Sequence, residues 1–233
     1  MSHSSALPLY IQISEGLIRD IQAGRLIAGE RLAPERQMAA ELGISVGTLR
    51  KALADLEDKG MLERRQGSGN YVREMSEATG VYAFFRLELP GGGGLPTAKT
   101  LAVDRQRKPA NTPPFGASDH AFRIRRMRSL GALPVALEEI WLDASAAPPL
   151  AAKDLPDSLY YFYRVSLGVW IGRIEDRVGV DTVPEWAPTA FGMEQNSVCG
   201  FVERVAWRQQ GEPIEYSRTW FDHVNCRYVS RLR

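Results

Sequence analysis

The spacing of apolar residues predicts three helices in the first third of the chain. In three segments the apolar residues recur every three or four positions, which is typical of a helix with one buried face. Gly24, Gly43 and Gly60 follow these segments and supply stop signals, and a proline suits the first turn of the second helix, predicted over residues 34–42. The apolar stripes consist of Tyr10, Ile13, Leu17 and Ile21; of Met38, Ala39 and Leu42; and of Val46, Leu49, Leu53 and Leu56.

A short β-hairpin is predicted directly after the third helix. Residues 61–65 and 71–73 form two short runs on either side of a glycine-rich stretch at 66–70. Glycine permits the tight turn that a hairpin needs, so the runs are expected to pair as antiparallel strands.

The second and third helices, with the short Gly43-Ile44 turn between them, predict a helix-turn-helix motif. In this motif the second helix enters the major groove of DNA with its N-terminal residues, and a flexible hairpin suits a minor-groove wing. A three-helix bundle with a hairpin need not bind DNA, however, and clustered charges are usually a solvated surface. The candidate contacts are Ser45 (the expected N-cap), Thr48, Arg50 and Lys51 on the third helix, Arg36 on the preceding helix, and Arg64, Arg65 and Gln66 on the hairpin.

From residue 81 onward the chain changes to short alternating or apolar runs separated by proline and glycine. With two helical stretches near 156–167 and 185–192, this pattern predicts an α+β domain with a largely antiparallel sheet. The small, polar residues 76–80 are typical of a linker and divide the chain into domains at 1–75 and 81–233. Residues 95–114 have no clear period and predict a long loop around one strand. The expected strands lie within 81–89, 99–104, 121–130, 134–142, 169–180, 199–208 and 213–222.

Alternation along three of these strands predicts which side chains share a face. Phe122 and Ile124 share a face with Arg126 and Arg128, and the apolar pair indicates that this face is inward. Inward charges are costly unless they are paired or bind a ligand, and two guanidiniums facing one carboxylate suit an anion. An internal ion-pair network, or the inverted register with these residues at the surface, stays open as the alternative. The other two sets are Ala136, Glu138, Ile140 and Leu142, and Glu215, Ser217, Thr219 and Phe221.

Composition narrows the function classes but does not select one. The 233 residues carry 29 basic and 28 acidic side chains, so any anionic partner must be met by locally clustered charge. We expect a cytoplasmic protein, because the N-terminus lacks the features of a signal peptide and no apolar run is long enough for a membrane helix. Two cysteines and the well-separated His120 and His223 indicate neither a disulfide framework nor a metal site, and no cofactor is expected.

Residues 8–72 closely resemble the winged helix-turn-helix of the GntR family of bacterial transcription regulators. The blocks PLYIQI, LAPERQMA, LGIS-x-x-T-L-R-x-A-L and QGSGNYV carry this resemblance. The resemblance implies a homodimer on a short palindromic DNA operator. Val46 stands where many members have an arginine that reads a base, so the operator is expected either to differ at that base pair or to be read more through the wing. The family's DNA contacts carry over onto Arg36, Ser45, Thr48, Arg50, Gln66, Gly67 and Gly69, with Lys51 and Arg65 beside them.

Residues 80–232 resemble, more loosely, the UTRA effector-binding domain of the HutC subgroup of this family. RRMRSLGALPVALEEIWL, DSLYYFY and GEPIEYSRTWFD carry the resemblance, which implies an antiparallel sheet with helices related to chorismate lyase. Phe85-Arg86 stands where related sensors place small hydroxyl residues against a phosphate, so a sugar phosphate is not inferred. Phe221 stands where relatives often have tyrosine. The ligand positions that the resemblance implies are Arg126, Arg128, Glu138, Ser158, Tyr160, Glu215 and the Phe221 position, with Arg86 as a further candidate.

The hypothesis that follows is a ligand-responsive transcription regulator, expected to be a repressor, that binds a small anionic metabolite in its second domain. A lyase-like enzyme is the weaker alternative, because the sequence offers no nucleophile with a neighbouring base and no metal cluster. A DNA-binding dimer whose second domain is structural and binds no ligand is the other alternative.

Overall fold

The computed structural model describes residues 7–22, 26–27, 29–73, 84–92, 95–209 and 211–230. The chain divides into two compact units, one over Leu7–Phe84 and one that contains Phe85–Arg233. The linker expected at 76–80 and the helix stop expected at Gly24 lie outside the described residues, so both stay predictions. No described helix is long and apolar enough to cross a membrane.

The first unit contains the three predicted helices and the predicted hairpin. The helices are α1 (Leu9–Gln22), α2 (Glu35–Glu41) and α3 (Val46–Asp58), and the hairpin strands are β1 (Leu62–Arg65) and β2 (Gly69–Val72). Ser45 is the N-cap of α3, as expected, because its hydroxyl accepts a hydrogen bond from the backbone N–H of Thr48 at 3.1 Å. Gly43 and Gly60 have φ values of 64° and 71°, the left-handed region that glycine adopts where a helix ends.

One apolar core holds the first unit together. Leu42 was assigned to the stripe of the second helix, but it lies at the C-cap of α2 and is exposed. Buried polar side chains also join α1 to α3, since Ser14 donates to Asp55 and the ammonium of Lys59 contacts both Asp55 and the buried Glu15. The buried core consists of Leu17, Ile18, Ile21, Leu32, Met38, Ala39, Leu49, Leu53, Leu56, Met61, Leu62 and Val72.

The second unit is built on a six-stranded antiparallel sheet in the order β4-β5-β6-β9-β8-β7. A helix, α4 (Leu159–Ser166), lies within the segment predicted to be helical, and a separate two-stranded sheet pairs β3 (Leu87–Glu88) with β10 (Arg227–Tyr228). The strands of the large sheet are β4 (Pro96–Arg107), β5 (His120–Leu130), β6 (Leu133–Asp143), β7 (Ile171–Thr182), β8 (Val198–Arg208) and β9 (Pro213–Phe221).

Several element predictions for the second unit are wrong in extent or kind. The helix predicted near 185–192 is replaced by turns and a short 3-10 helix, Thr189–Phe191, because prolines at 184 and 188 interrupt the backbone ladder. The region 95–114 is mostly strand rather than loop, since β4 extends over twelve residues. Of the strand predicted at 81–89, only Leu87–Glu88 is strand among the described residues. The short strand β10 was not predicted.

The register of the large sheet confirms the predicted alternation. Arg126 on β5 stands opposite Glu138 on β6, which stands opposite Thr219 on β9. Side chains at these positions therefore share one face of the sheet, and the arginines at 126 and 128 are 4% and 2% exposed. The inverted register, which would place them at the surface, is excluded.

Candidate functional site

The first candidate site lies where α2, α3 and the hairpin meet in the first unit. Glu35, in the first turn of α2, joins the three elements. Its Oε2 accepts a hydrogen bond from Nε of Arg50 at 2.6 Å, and its Oε1 accepts one from Nη2 of Arg64 at 2.7 Å. The hydrogen bond from Arg50 holds the pKa of the Glu35 carboxyl below its usual value despite partial burial, and Arg64 adds to this. The side chains of Arg50 and Arg64 are 63% and 54% exposed.

The sequence placed Arg50 and Arg64 on this surface, but it did not identify Glu35. The signal was weak, because the carboxylate is fifteen residues from one partner and twenty-nine from the other. A charged residue in the first turn of a helix also has an ordinary explanation in the helix dipole.

The tip of the hairpin is formed by glycine in conformations that other residues rarely adopt. Gly67 has φ 73° and Gly69 has φ 125°. A Cβ at Gly69 would lie 3.2 Å from Nε of Arg31, so the absence of a side chain lets this guanidinium lie against the hairpin. A cleft of about 650 Å³ next to it is lined by Arg31, Arg64, Arg65, Gln66 and the backbone of the tip, among others. Arg31 was missed by the sequence reasoning.

The remaining candidates of the first unit line the same elements. The hydroxyls of Ser45 and Thr48 contact each other at 2.9 Å at the start of α3. Arg65 pairs with Glu63 at 3.2 Å, and its guanidinium lies 4.3 Å from the ring centroid of Tyr71. The side chains of Arg36, Lys51 and Gln66 are exposed.

The second candidate site is the buried polar face of the large sheet. Nε and Nη2 of Arg126 donate to Oε2 of Glu138 at 3.0 and 2.7 Å, and Nε of Arg128 lies 3.7 Å from Oε1 of the same carboxylate. Burial would raise the pKa of Glu138, but the charges of the two arginines outweigh it and the pKa is lowered. Both guanidiniums also donate to the backbone carbonyl of Asp157, and that of Arg128 lies 4.6 Å from the ring centroid of Phe85.

Glu215 and two tyrosines of α4 extend this face. The Tyr160 hydroxyl donates to Oε1 of Glu215 at 2.9 Å. Oε2 of the same carboxylate and the hydroxyl of Tyr163 are buried and make no hydrogen bond to any residue that the structure describes. Burial raises the pKa of Glu215, and the hydroxyls of Tyr163 and Tyr160, followed by the charges of Arg204 and Arg126, lower it only in part. Burial also raises the pKa of both tyrosines, and the Glu215 charge adds to this.

A third ion pair on this face was missed by the sequence reasoning. Nε and Nη2 of Arg204 on β8 donate to the two oxygens of Asp176 on β7 at 2.6 and 2.7 Å, and Tyr228 donates to the same carboxylate at 2.6 Å. Burial raises the pKa of Tyr228 to about 12, and the nearby Arg86 charge acts in the opposite direction. Arg86 itself is half-buried. Alternation along 199–208 carried the signal, since Arg204 alternates with the apolar residues at 202 and 206.

Two other candidates of this unit already have structural roles. Ser158 is the N-cap of α4, and its hydroxyl accepts a hydrogen bond from the backbone N–H of Tyr161 at 3.3 Å. Phe221 lies in an apolar cluster, and its ring fills the space where a side chain at Gly200 would be. Whether either residue also contacts a ligand stays a prediction.

The two cysteines of the second unit are not reactive thiols. No group of three or more potential metal ligands occurs among residues covered by the structure. Cys199 and Cys226 are buried, and burial raises the pKa of their thiols to about 11 and about 12. Both are therefore thiols rather than thiolates at neutral pH.

Two family models match the chain, and together they cover most of it. The model described as bacterial regulatory proteins of the gntR family matches residues 9–72, and the model described as the UTRA domain matches residues 93–225.

Several relatives match this chain along nearly their whole length and nearly the whole length of this chain. The HTH-type transcriptional regulator SmoD of Agrobacterium fabrum is 54% identical, with 100% of each chain covered. The HTH-type transcriptional repressor NagR of Bacillus subtilis is 24% identical over 100% of this chain and 99% of its own. The mannosyl-D-glycerate transport/metabolism system repressor MngR of Escherichia coli is 27% identical over 95% of each.

Solved structures share the fold of the chain. The possible transcriptional regulator YydK of Bacillus subtilis has a TM-score of 0.55 and 20% identity, covering 97% of this chain and 100% of its own. PhnF of Mycobacterium smegmatis has a TM-score of 0.53 and 18% identity, covering 91% and 96%.

We expect replacement of Glu215 by glutamine to change how stability depends on pH. A carboxyl whose pKa is raised by folding contributes stability below the pKa of the unfolded state and loses it as the pH rises through the folded-state pKa. Glu215→Gln keeps an acceptor for Tyr160 and has no proton to lose. The free energy of unfolding of the variant should therefore increase relative to that of the wild type as the pH rises.

Urea unfolding over a pH series, followed by tryptophan fluorescence, measures this difference. All five tryptophans lie in the second unit, so the signal reports that unit alone. A difference between the two proteins that stays constant with pH would show that the Glu215 carboxyl is not destabilised by burial.

Proposed function

We propose, because this chain belongs to the GntR family of bacterial transcription regulators and carries a UTRA domain, that it is a repressor controlled by a small anionic metabolite. The family assignment makes the chain a regulator of transcription with a DNA-binding helix-turn-helix and an effector domain, rather than an enzyme. Repression, the class of effector and the homodimer are the finer parts of the proposal. We place the protein in the bacterial cytoplasm, where its operator is.

The start of α3 and the hairpin are proposed to bind the operator. Exposed arginine side chains there supply the local positive charge that the nearly neutral chain lacks overall. The N-terminal residues of α3 are placed to meet base edges in the major groove, and the glycine tip of the hairpin suits the minor groove. Val46, the residue directly after the N-cap Ser45, cannot make the base contact that an arginine would make at this position. The proposed contacts are Arg36, Ser45, Thr48, Arg50, Lys51, Arg65, Gln66, Gly67 and Gly69.

The observation that carries the effector site is the pair of buried polar atoms without hydrogen-bond partners. Oε2 of Glu215 and the hydroxyl of Tyr163 are both shielded from solvent, and although the two side chains interact with each other, neither atom makes a well-formed hydrogen bond to a described residue. A ligand with hydroxyl groups supplies a donor for the carboxylate and an acceptor for the phenol. These two buried atoms favour a polar face that binds a ligand over a polar face that only stabilises the sheet.

Charge on the same face supports an anionic effector. Arg126 and Arg128 share one carboxylate, Glu138, whereas Arg204 pairs with Asp176, which also accepts a hydrogen bond from Tyr228. Burial raises the pKa of Glu215, so its negative charge is disfavoured on this face beside the arginines. The name of MngR links that relative to mannosyl-D-glycerate, which is a glycosylated carboxylate and fits this chemistry.

A purely structural second domain is the rival function, and the ion pairs favour it. Arg126 with Glu138 and Arg204 with Asp176 satisfy one another without any ligand. On this alternative the domain dimerises the protein and binds no metabolite.

The edge strand β7 is proposed to form the homodimer contact with a second copy of the chain. Val178 and Val180 on this strand are 55% and 77% exposed, and Val198 on the neighbouring strand is 60% exposed. The register puts all three on one face at an edge of the sheet, where exposed apolar residues invite pairing with another chain. A dimer places two DNA-binding units on the two halves of a palindrome. The effector then releases DNA if it prefers a different placement of these units.

We expect Arg50→Ala to lose operator binding while the fold and the dimer are kept. The probe is a duplex selected by the wild-type protein from a random-sequence library. Loss of an arginine contact to a base should weaken binding by about 1–3 kcal/mol, or roughly tenfold to a hundredfold. Arg107→Ala, which removes an exposed arginine of the second unit from β4 at the other edge of the sheet, is the control. Equal affinity of the two variants for the selected duplex would contradict the assignment of α3 as the recognition helix.

Arg128→Met should lose the response to the effector and keep DNA binding. The effector is first identified by thermal-shift screening against sugar phosphates, organic acids and phosphonates, where a ligand at about 100 times its dissociation constant adds roughly 2.7 kcal/mol. Arg125→Met is the matched control, because this arginine lies on the opposite face of the same strand, with Glu139. An unchanged dose-response of Arg128→Met would remove this arginine from the site, and a screen without any hit would favour the structural alternative.

Val180→Glu should convert the dimer to a monomer, because a charge at the centre of the apolar strip opposes its burial against a second copy. Sedimentation equilibrium at the same protein concentration compares it with the wild type. Val224→Glu, at a valine that is equally exposed but lies in a turn, is the control and should stay dimeric. A dimeric Val180→Glu protein would place the interface elsewhere.

A further inference from the structure

We infer that Glu35 is a positioning residue that sharpens the choice of DNA sequence by holding Arg50 and Arg64 together. The inference rests on the proposed DNA-binding function and adds to it a residue that contacts no DNA itself. It concerns discrimination between the operator and other DNA, not affinity alone.

One carboxylate binds two arginines that come from two different elements of the first unit. Each oxygen of the Glu35 carboxylate holds a different guanidinium, that of Arg50 from α3 at 2.6 Å and that of Arg64 from β1 at 2.7 Å. The recognition helix and the hairpin are therefore linked through a single side chain of α2. An ion pair within one element, such as Arg65 with Glu63 two residues away, has no such effect.

The atom through which Arg50 is held matters for recognition. Nε of Arg50 donates to Glu35, so the two terminal nitrogens of the guanidinium, on its other edge, stay available for DNA. This forked edge makes paired hydrogen bonds to guanine or to phosphate. Within the described part of the chain, Arg50 makes no other hydrogen bond, and most of its side chain is exposed. A long arginine that is already oriented loses less conformational freedom when it binds a base.

The charge of Glu35 acts against binding to the wrong DNA. A carboxylate beside the two arginines offsets part of their attraction for phosphate, which is the source of sequence-independent binding. Arg50 and Arg64 remain oriented for a base edge that fits them, but they are weaker as general phosphate contacts. Because sequence discrimination is the ratio of specific to non-specific affinity, both effects raise it.

Stability does not explain the arrangement. The two arginines are more than half exposed, and ion pairs at such positions contribute little to folding. The dipole of α2 accounts for an acidic residue in the first turn, but not for its bonds to two guanidiniums from other elements.

The test compares Glu35→Gln with Glu41→Gln in the full-length protein. Glu41 lies at the other end of α2, is exposed and bonds only to Gln37 among the side chains that the structure describes, so the control removes the same charge without touching an arginine. Affinities are measured by fluorescence anisotropy for the duplex selected by the wild type and for a scrambled duplex, over a range of salt concentrations.

We expect Glu35→Gln to reduce the ratio of the two affinities about tenfold, which corresponds to one of the weaker base contacts. The scrambled duplex should bind more tightly, with a salt dependence steeper by about one released counterion. The melting of the helices, followed by circular dichroism, should stay that of the wild type. In an Arg50→Ala background, Glu35→Gln should lower the affinity for the selected duplex by less than it does in the wild type, because only the part of its effect that passes through Arg64 remains.

Three outcomes would overturn the inference. One is an unchanged affinity ratio, and another is a ratio that falls equally in Glu41→Gln. The third is a parallel loss of both affinities together with a lower melting temperature, which would give Glu35 a structural role alone. If the wild type selects no duplex from the library, the proposed function fails instead, and the two failures are thereby distinguished.

Discussion

The pairing of Arg126 with Glu138 across neighbouring strands is the contact on which the second unit depends. Both residues are largely removed from water, so each charge needs the other. Because side chains alternate along a strand, a slip of one residue between β5 and β6 would move one charge to the opposite face and leave its partner buried alone. The ion pair therefore specifies the register of the sheet. That register in turn places Arg128, Glu215 and Arg204 on the same face, although they come from strands far apart in the chain.

In the first unit, too, an acidic residue orients basic side chains, but it does so at the surface. Its apolar core fixes the three helices and the hairpin, but the core does not decide where the long arginine side chains of α3 and β1 point. A carboxylate at the start of α2 does so at 2.6 and 2.7 Å. Both units thus use acidic residues to arrange basic ones. In the buried sheet the acidic residue compensates charges that are removed from water, whereas at the exposed surface it contributes little to stability and is free to serve recognition.

Local patterns in the sequence were sufficient where structure depends on neighbouring residues. The period of the apolar residues, the Ser45 cap and the glycines at 43 and 60 gave the helices of the first unit, and alternation gave the inward face that carries Arg126. The same patterns failed where the outcome depends on distant partners. The segment 185–192 has helix-forming residues, but Pro188 within it and Pro184 before it interrupt the helical hydrogen bonds, and β10 is a strand only because β3 lies beside it. Likewise, the bonds of Glu35 and the pairing of Arg204 with Asp176 join positions fifteen or more residues apart.

The contact between Gly200 and Phe221 has a consequence for how this protein can change over evolutionary time. The ring of Phe221 occupies the volume that any side chain at position 200 would need. A larger residue at 200 is therefore tolerated only together with a smaller one at 221, and the two positions are expected to vary as a pair among descendants of this sequence. Each such exchange would shift bulk from one strand to the next along the polar face. The lineage would thus have a route to a differently shaped site that leaves the buried charges unchanged.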